Sequence, residues 1–165
     1  MKLAFDNIKG SVFTLDINII KEGIEASRKS ERKRIILPIH RQQDARVQRM
    51  LNFLQPGTYI RPHKHPLKDA SESIIVLQGA LRFFIFDNNG NVKNDYYVTT
   101  ALTESVLDID PDVWHSFVVL EKDTVIFESK KGPYNPLEDK QFARWSPEEY
   151  TPEAKHFINE LYNLD

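Results

Sequence analysis

The chain has 165 residues, 41% of them hydrophobic and 28% charged, a balance that excludes wholesale disorder and suits one globular domain. It contains no cysteine, which excludes disulfide scaffolds, zinc knuckles, iron–sulfur clusters and thiol nucleophiles, so any metal must sit on nitrogen and oxygen ligands. A formal charge of −2 and a pI near 6.2 give no footprint for nucleic acid, and a mean hydropathy of −0.47 gives no spanning helix. The first ten residues lack a signal-peptide pattern, so the expectation is a cytoplasmic protein with no membrane partner.

In chain order, Ile17, Ile20 and Ile24 recur at helical spacing, which predicts a helix from Thr14 to about Arg28 with Asp16 as its N-cap. From about residue 35 to residue 130 the pattern changes to short runs rich in Ile, Val, Phe and Tyr, broken by Gly, Pro, Asn and Asp. The predicted strands are Ile35–His40, Val47–Leu54, Ile74–Leu77, Ala80–Phe86, Tyr96–Thr99, Val106–Ile109, Phe117–Leu120 and Thr124–Glu128. Asp87-Asn88-Asn89-Gly90 reads as a hairpin turn, because Asn and Gly tolerate positive φ. So many short, closely spaced strands predict a mainly β sandwich or barrel. Near the end, Ser146-Pro147-Glu148-Glu149 and Thr151-Pro152-Glu153 each place a capping hydroxyl before a first-turn proline, and Phe157, Ile158 and Leu161 form an apolar stripe. No linker or repeat divides the chain, so residues 1–165 read as one domain: a helical N-terminal extension (1–34), a barrel core (35–132) and a C-terminal segment with helices (133–165).

The segment from Gly57 to Pro66 carries the chemistry. His63 and His65 are two apart, so on an extended strand both imidazoles point to one face. Pro62 and Pro66 flank the pair and exclude a helix. Glu72 precedes an apolar run ending at Gly79, where a buried carboxylate is costly alone and a bound cation would neutralise it. His115 follows the turn at Asp110–Val113. Taken singly, each reads as a solvated polar residue; three histidines and one glutamate converge only if the strands close into a barrel.

Gly57, His63-x-His65, Glu72 and Gly79, with their spacings, resemble the first cupin motif, and His115 resembles the histidine of the second. Around His115 the usual turn proline and glycine are replaced by Asp110 and Asp112, the opening glycine by Glu104 and the closing asparagine by Val119. Further stretches, among them Arg32-Lys33-Arg34, His40, Val47–Leu51, Trp114-His115-Ser116, Gly132-Pro133-Tyr134 and Phe142 to Glu149, are similar to the WbuC family of cupin-fold metalloproteins over about residues 26–150. The resemblance implies a double-stranded β-helix, or jelly-roll barrel, with one divalent metal on His63, His65, Glu72 and His115. It also implies a homodimer and a sugar or sugar-derived substrate of the kind handled in polysaccharide biosynthesis. Imidazole and carboxylate ligands suit Fe, Mn, Ni or Zn alike.

Around that site, Arg28, Lys29, Arg32, Lys33 and Arg34 form a basic cluster that reads either as a solvated helix end or as an anion site, with Arg32 or Arg34 holding an acidic substrate. In Val47–Leu54, Arg49 shares its parity with Val47, Leu51 and Phe53, which predicts that Arg49 rather than Gln48 faces the interior. No separate general base stands out except His40. Tyr59, Phe84, Phe86 and Phe127 read as core. The functional expectation is a metal-dependent enzyme on a small anionic or sugar-derived molecule, by isomerase, epimerase or Fe(II) dioxygenase chemistry. The alternatives are a non-catalytic binding cupin and a metal-free epimerase-like cupin.

Overall fold

A computed structural model describes residues 3–101 and 104–164. Helix α1 (Ile17–Lys29) opens at Asp16, whose carboxylate accepts from the amides of Asn18 at 2.8 Å and Ile19 at 3.0 Å. Ten strands follow: β1 (Arg34–Pro38), β2 (Val47–Leu54), β3 (His63–Lys64), β4 (Glu72–Gln78), β5 (Ala80–Phe86), β6 (Val92–Thr99), β7 (Val106–Ile109), β8 (His115–Val119), β9 (Thr124–Lys131) and β10 (Gln141–Phe142). Helix α2 (Pro152–Tyr162) closes the described chain.

The strands form two five-stranded antiparallel sheets, ordered β1-β2-β9-β4-β7 and β10-β3-β8-β5-β6. Successive strands alternate between the sheets along much of the chain, which makes the fold a double-stranded β-helix, the cupin barrel. Leu54, Ile74, Val76, Phe83, Phe117 and Ile126 fill part of the space between the sheets. The opposite face of each sheet is covered as well. Helix α1 and the segment before it, with Phe5, Ile8 and Phe13, lie over Ile35, Leu37, Leu51 and Phe53. Helix α2 and Trp145 lie over Phe84, Phe86 and Val118. Close approach of α1 requires Gly23, since a Cβ there would sit 2.4 Å from the Phe53 ring. The segment at Ala4 runs parallel to β1 and occupies its outer edge, with the Phe5 amide donating to Ile36 O at 2.8 Å.

Two sequence expectations change. Ser146-Pro147 opens no helix; the Ser146 hydroxyl donates to Ala143 O at 2.8 Å and receives the Arg61 Nε–H at 3.1 Å. The second cap works as expected, with Thr151 Oγ1 accepting from the Ala154 amide at 3.2 Å. Strands β3 and β10 pair only over two residues each, too short for alternation to reveal. Among the described residues, no helix is long and apolar enough to cross a membrane.

Candidate metal centre

Strand pairing brings the ligand candidates together. His63 on β3 lies directly opposite His115 on β8, and Glu72 begins β4 in the facing sheet. His65 sits just past β3, where its carbonyl accepts the Asp112 amide at 2.9 Å. Asp112 holds φ at 66°, a left-handed position that Asp tolerates better than most residues, so the turn before His115 survives without glycine. One ligand atom each from His63, His65, Glu72 and His115 lies within 4.8 Å of the others, and all four residues are buried.

The histidine tautomers follow from their partners. Nδ1 of His63 is 2.9 Å from the Arg61 carbonyl and Nδ1 of His115 is 2.8 Å from the Val113 carbonyl, each two residues upstream. Nδ1 of His65 meets the carbonyl of Asp139. A carbonyl only accepts, so each Nδ1 carries a proton and each Nε2 is turned into the cluster, where a neutral ring offers its lone pair. The Nε2 atoms of His63 and His65 are buried with no hydrogen-bond partner among the described residues. Nε2 of His115 lies 3.1 Å and that of His65 3.4 Å from Oε2 of Glu72. Such a contact needs a positive centre, which a proton on the imidazole supplies when no ion is bound and a divalent ion supplies in its place. Three imidazoles with one carboxylate are a donor set that suits a divalent transition metal.

Electrostatics agree with that donor set. Burial, the nearby Lys140 charge and His115 pull the His63 imidazole well below its ordinary range, which keeps it neutral. Burial works to raise the Glu72 carboxyl, but the imidazoles of His115 and His65 outweigh it and hold the group well below the ordinary carboxylate range. Phe83 stacks on His115 with centroids 5.5 Å apart, and Phe142 meets His63 edge-on at 6.3 Å, so both rings are held in place.

The cluster forms one end of a cavity of about 480 Å³ between the sheets. His40 lies on its wall, 2% exposed, with Nδ1 2.9 Å from the Arg49 carbonyl and 3.1 Å from the Arg49 amide. Its Nε2 is buried without a partner among the described residues. Gln48 also lines the cavity; its amide nitrogen donates to the carbonyls of Gln43 at 3.0 Å and Ala45 at 2.8 Å, while Oε1 makes no hydrogen bond among the described residues. Arg32 and Arg34 line the far end, where both pair with Glu149 and Arg34 also donates to the Tyr59 carbonyl at 2.9 Å.

Arg49 is a correction. Parity predicts it inside, yet its side chain is exposed and the cavity takes Gln48, Met50 and Asn52 instead. The apolar set that shares its parity, Leu51 and Phe53, is buried under α1 on the outside of the barrel. Six charged cavity residues escape the sequence reading as such: Arg61, Glu128, Lys130, Asp139, Lys140 and Glu149. Glu128 and Lys130 share their parity with Ile126 on β9, a signal that was available; Asp139 and Lys140 belong to the irregular segment before β10 and have none. Lys130 Nζ binds both oxygens of Asp139, at 2.7 and 2.6 Å.

Glu128 accepts from Asn52 Nδ2 at 3.0 Å, and burial with the adjacent Glu72 charge pushes its carboxyl up to about 7, against the pull of Lys130 and Lys140. With the folded value above the ordinary 4.5, the folded chain binds a proton between those pH values that the unfolded chain has released. Stability is therefore lost as pH rises through that window. In protein stripped of metal, Glu128→Gln is expected to raise the urea midpoint at pH 8, and the gain should vanish near pH 4. A gain of the same size at both pH values would contradict this origin.

A family model described as Domain of unknown function (DUF6016) matches residues 15–98. No curated protein matches the chain. Among solved structures it is similar to an oxalate oxidase in complex with the substrate analogue glycolate, at 19% identity over 59% of this chain and 46% of that one, with a TM-score of 0.46. It is similar to the Lactobacillus farciminis oxalate decarboxylase formate complex at 18% identity over 58% and 26% of the two chains, with a TM-score of 0.45. It is also similar to the capsular polysaccharide assembling protein CapF from Staphylococcus aureus, at 22% identity over 59% and 26%, with a TM-score of 0.49. In each case the match spans less than half of the other chain.

Proposed function

The chain belongs to the family described as Domain of unknown function (DUF6016), and we propose that it is a metal-dependent enzyme acting on a small anionic or sugar-derived molecule. The observation that carries this reading is the convergence of three buried imidazole Nε2 atoms on the Glu72 carboxylate, those of His63 and His65 without a hydrogen-bond partner among the described residues. One divalent ion of the Fe, Mn, Ni or Zn class, held by His63, His65, Glu72 and His115, would supply a Lewis acid with coordination positions left for a ligand. A purely structural site would not need the cavity that opens from this one.

The chain's own residues have distinct tasks in this reading. Gln48 Oε1 accepts from a hydroxyl or amide of the ligand, and Arg32 marks the outer end of the space. Met50, Ile74 and Phe117 line the walls and exclude water. His40 takes or returns a proton at Nε2, its ring held by the Arg49 backbone. The resemblance to the WbuC family supports a sugar-derived ligand, and the whole chain acts as one catalytic domain.

The test is a panel of organic and sugar acids offered to metal-loaded and chelator-stripped protein, with product detected by mass spectrometry. Turnover is expected only in the loaded protein, and His40→Ala should slow it by about 100-fold or more while leaving metal content unchanged. A ligand that raises Tm without ever being converted would overturn the enzymatic reading in favour of a binding role.

A further inference from the structure

We infer that Lys140 is the oxyanion-binding residue of this cavity, receiving a carboxylate or phosphate group of the ligand beside the metal centre. The inference rests on the reading above for the ligand's position, and its own ground is separate. Strand β10 pairs with β3 so that Phe142 lies opposite His63. Lys140 lies two residues before Phe142, in the segment that leads into β10, and both line the cavity with His63, Glu72 and His115.

The charges in this space do not cancel. Lys130 is held by both oxygens of Asp139, and Arg34 and Arg32 share Glu149. Lys140 is different: among the described residues it forms neither a hydrogen bond nor a salt bridge, and it feels the carboxylates of Glu72, Glu128 and Asp139 only through space. Once a divalent ion offsets Glu72, the ion, Lys130 and Lys140 together outweigh Glu72, Asp139 and Glu128 by one positive charge even with Glu128 fully ionised. A half-buried ammonium without a partner is costly, and an oxyanion entering from the cavity supplies that partner. This assignment moves the anion site from the arginines, where the sequence places it, to the metal end. There one oxyanion can meet the ion and the ammonium together.

The probes are malonate and inorganic phosphate, titrated calorimetrically into the protein as purified and again after a chelator has been applied and removed. Malonamide, which keeps the shape of malonate without its charge, is the control. Wild-type protein should bind malonate or phosphate and not malonamide, and the preferred anion identifies the group. Lys140→Gln should weaken that binding by about 10- to 100-fold, the worth of a hydrogen bond to a charged group, while Lys140→Arg stays near wild type. Metal content measured beside these titrations should be the same in all three proteins. Binding that depends on Lys140 in protein that holds no metal as purified and takes none up would uphold this assignment and overturn the metal reading. Equal affinity in wild type and Lys140→Gln, or no anion binding by wild type at all, would overturn the assignment whatever the metal content.

Discussion

Replacing Glu72 by glutamine should weaken divalent-metal binding by about 100-fold or more, since losing a mere supporting contact at such sites already costs 10- to 100-fold. Glutamine keeps the volume and one oxygen, so the change removes the only negative charge among the four ligands and little else. A chelator-competition titration reads the affinity, and thermal unfolding reads its consequence. A ligand present at about 1,000 times its Kd adds about 4 kcal/mol to the folded state, so wild type should gain several degrees in Tm on loading and the variant much less. The pH dependence has a definite sign. Protons compete with the ion for imidazole Nε2, and burial holds the His63 imidazole well below its ordinary 6.5. At His63 that competition therefore sets in only at a pH well below the ordinary one. Affinity in Glu72→Gln equal to that of wild type would contradict the ligand assignment.

Phe53→Ala should cost about 3–5 kcal/mol, a large share of the roughly 5–15 kcal/mol that separates a folded domain from its unfolded chain. The ring is fully buried, touches α1 at Gly23, and packs in one cluster with Ile35, Leu51 and Val125. Its removal leaves a space that a sheet and a helix cannot both collapse to fill. Urea denaturation checks the figure, and a loss below about 1 kcal/mol would mean that α1 is not fastened to the barrel through this contact. Phe53 lies on the outer face of β2, while Asn52 and Leu54 beside it line the cavity. Variant protein that remains folded should therefore bind metal as wild type does.

That two-sided burial also explains what the sequence displays and what it hides. The cap at Asp16, eight of the ten strands and the set of His63, His65, Glu72 and His115 are legible because local rules fix them: a capping carboxylate, β-branched runs between turns, and spacings that resemble a motif. Arg49 misleads because alternation reports which face of a strand is apolar, not which face is inside the barrel. On β2 the apolar face lies under α1, and the barrel face carries Gln48 and Asn52 beside Met50 and Leu54 because it borders a cavity that also holds charged groups. Lys140 and Asp139 are illegible for another reason. They come from an irregular segment that only the pairing of β10 with β3 carries to the metal end, and no periodicity records a pairing two residues long.

Elemental analysis of the purified protein beside the variant His63→Ala, His65→Ala, His115→Ala tests the centre most directly. Near-stoichiometric iron, manganese, nickel or zinc in the wild type, and none in a variant whose circular dichroism still shows the barrel, is the predicted result. No metal in the wild type, even after incubation with each of these ions, would contradict it.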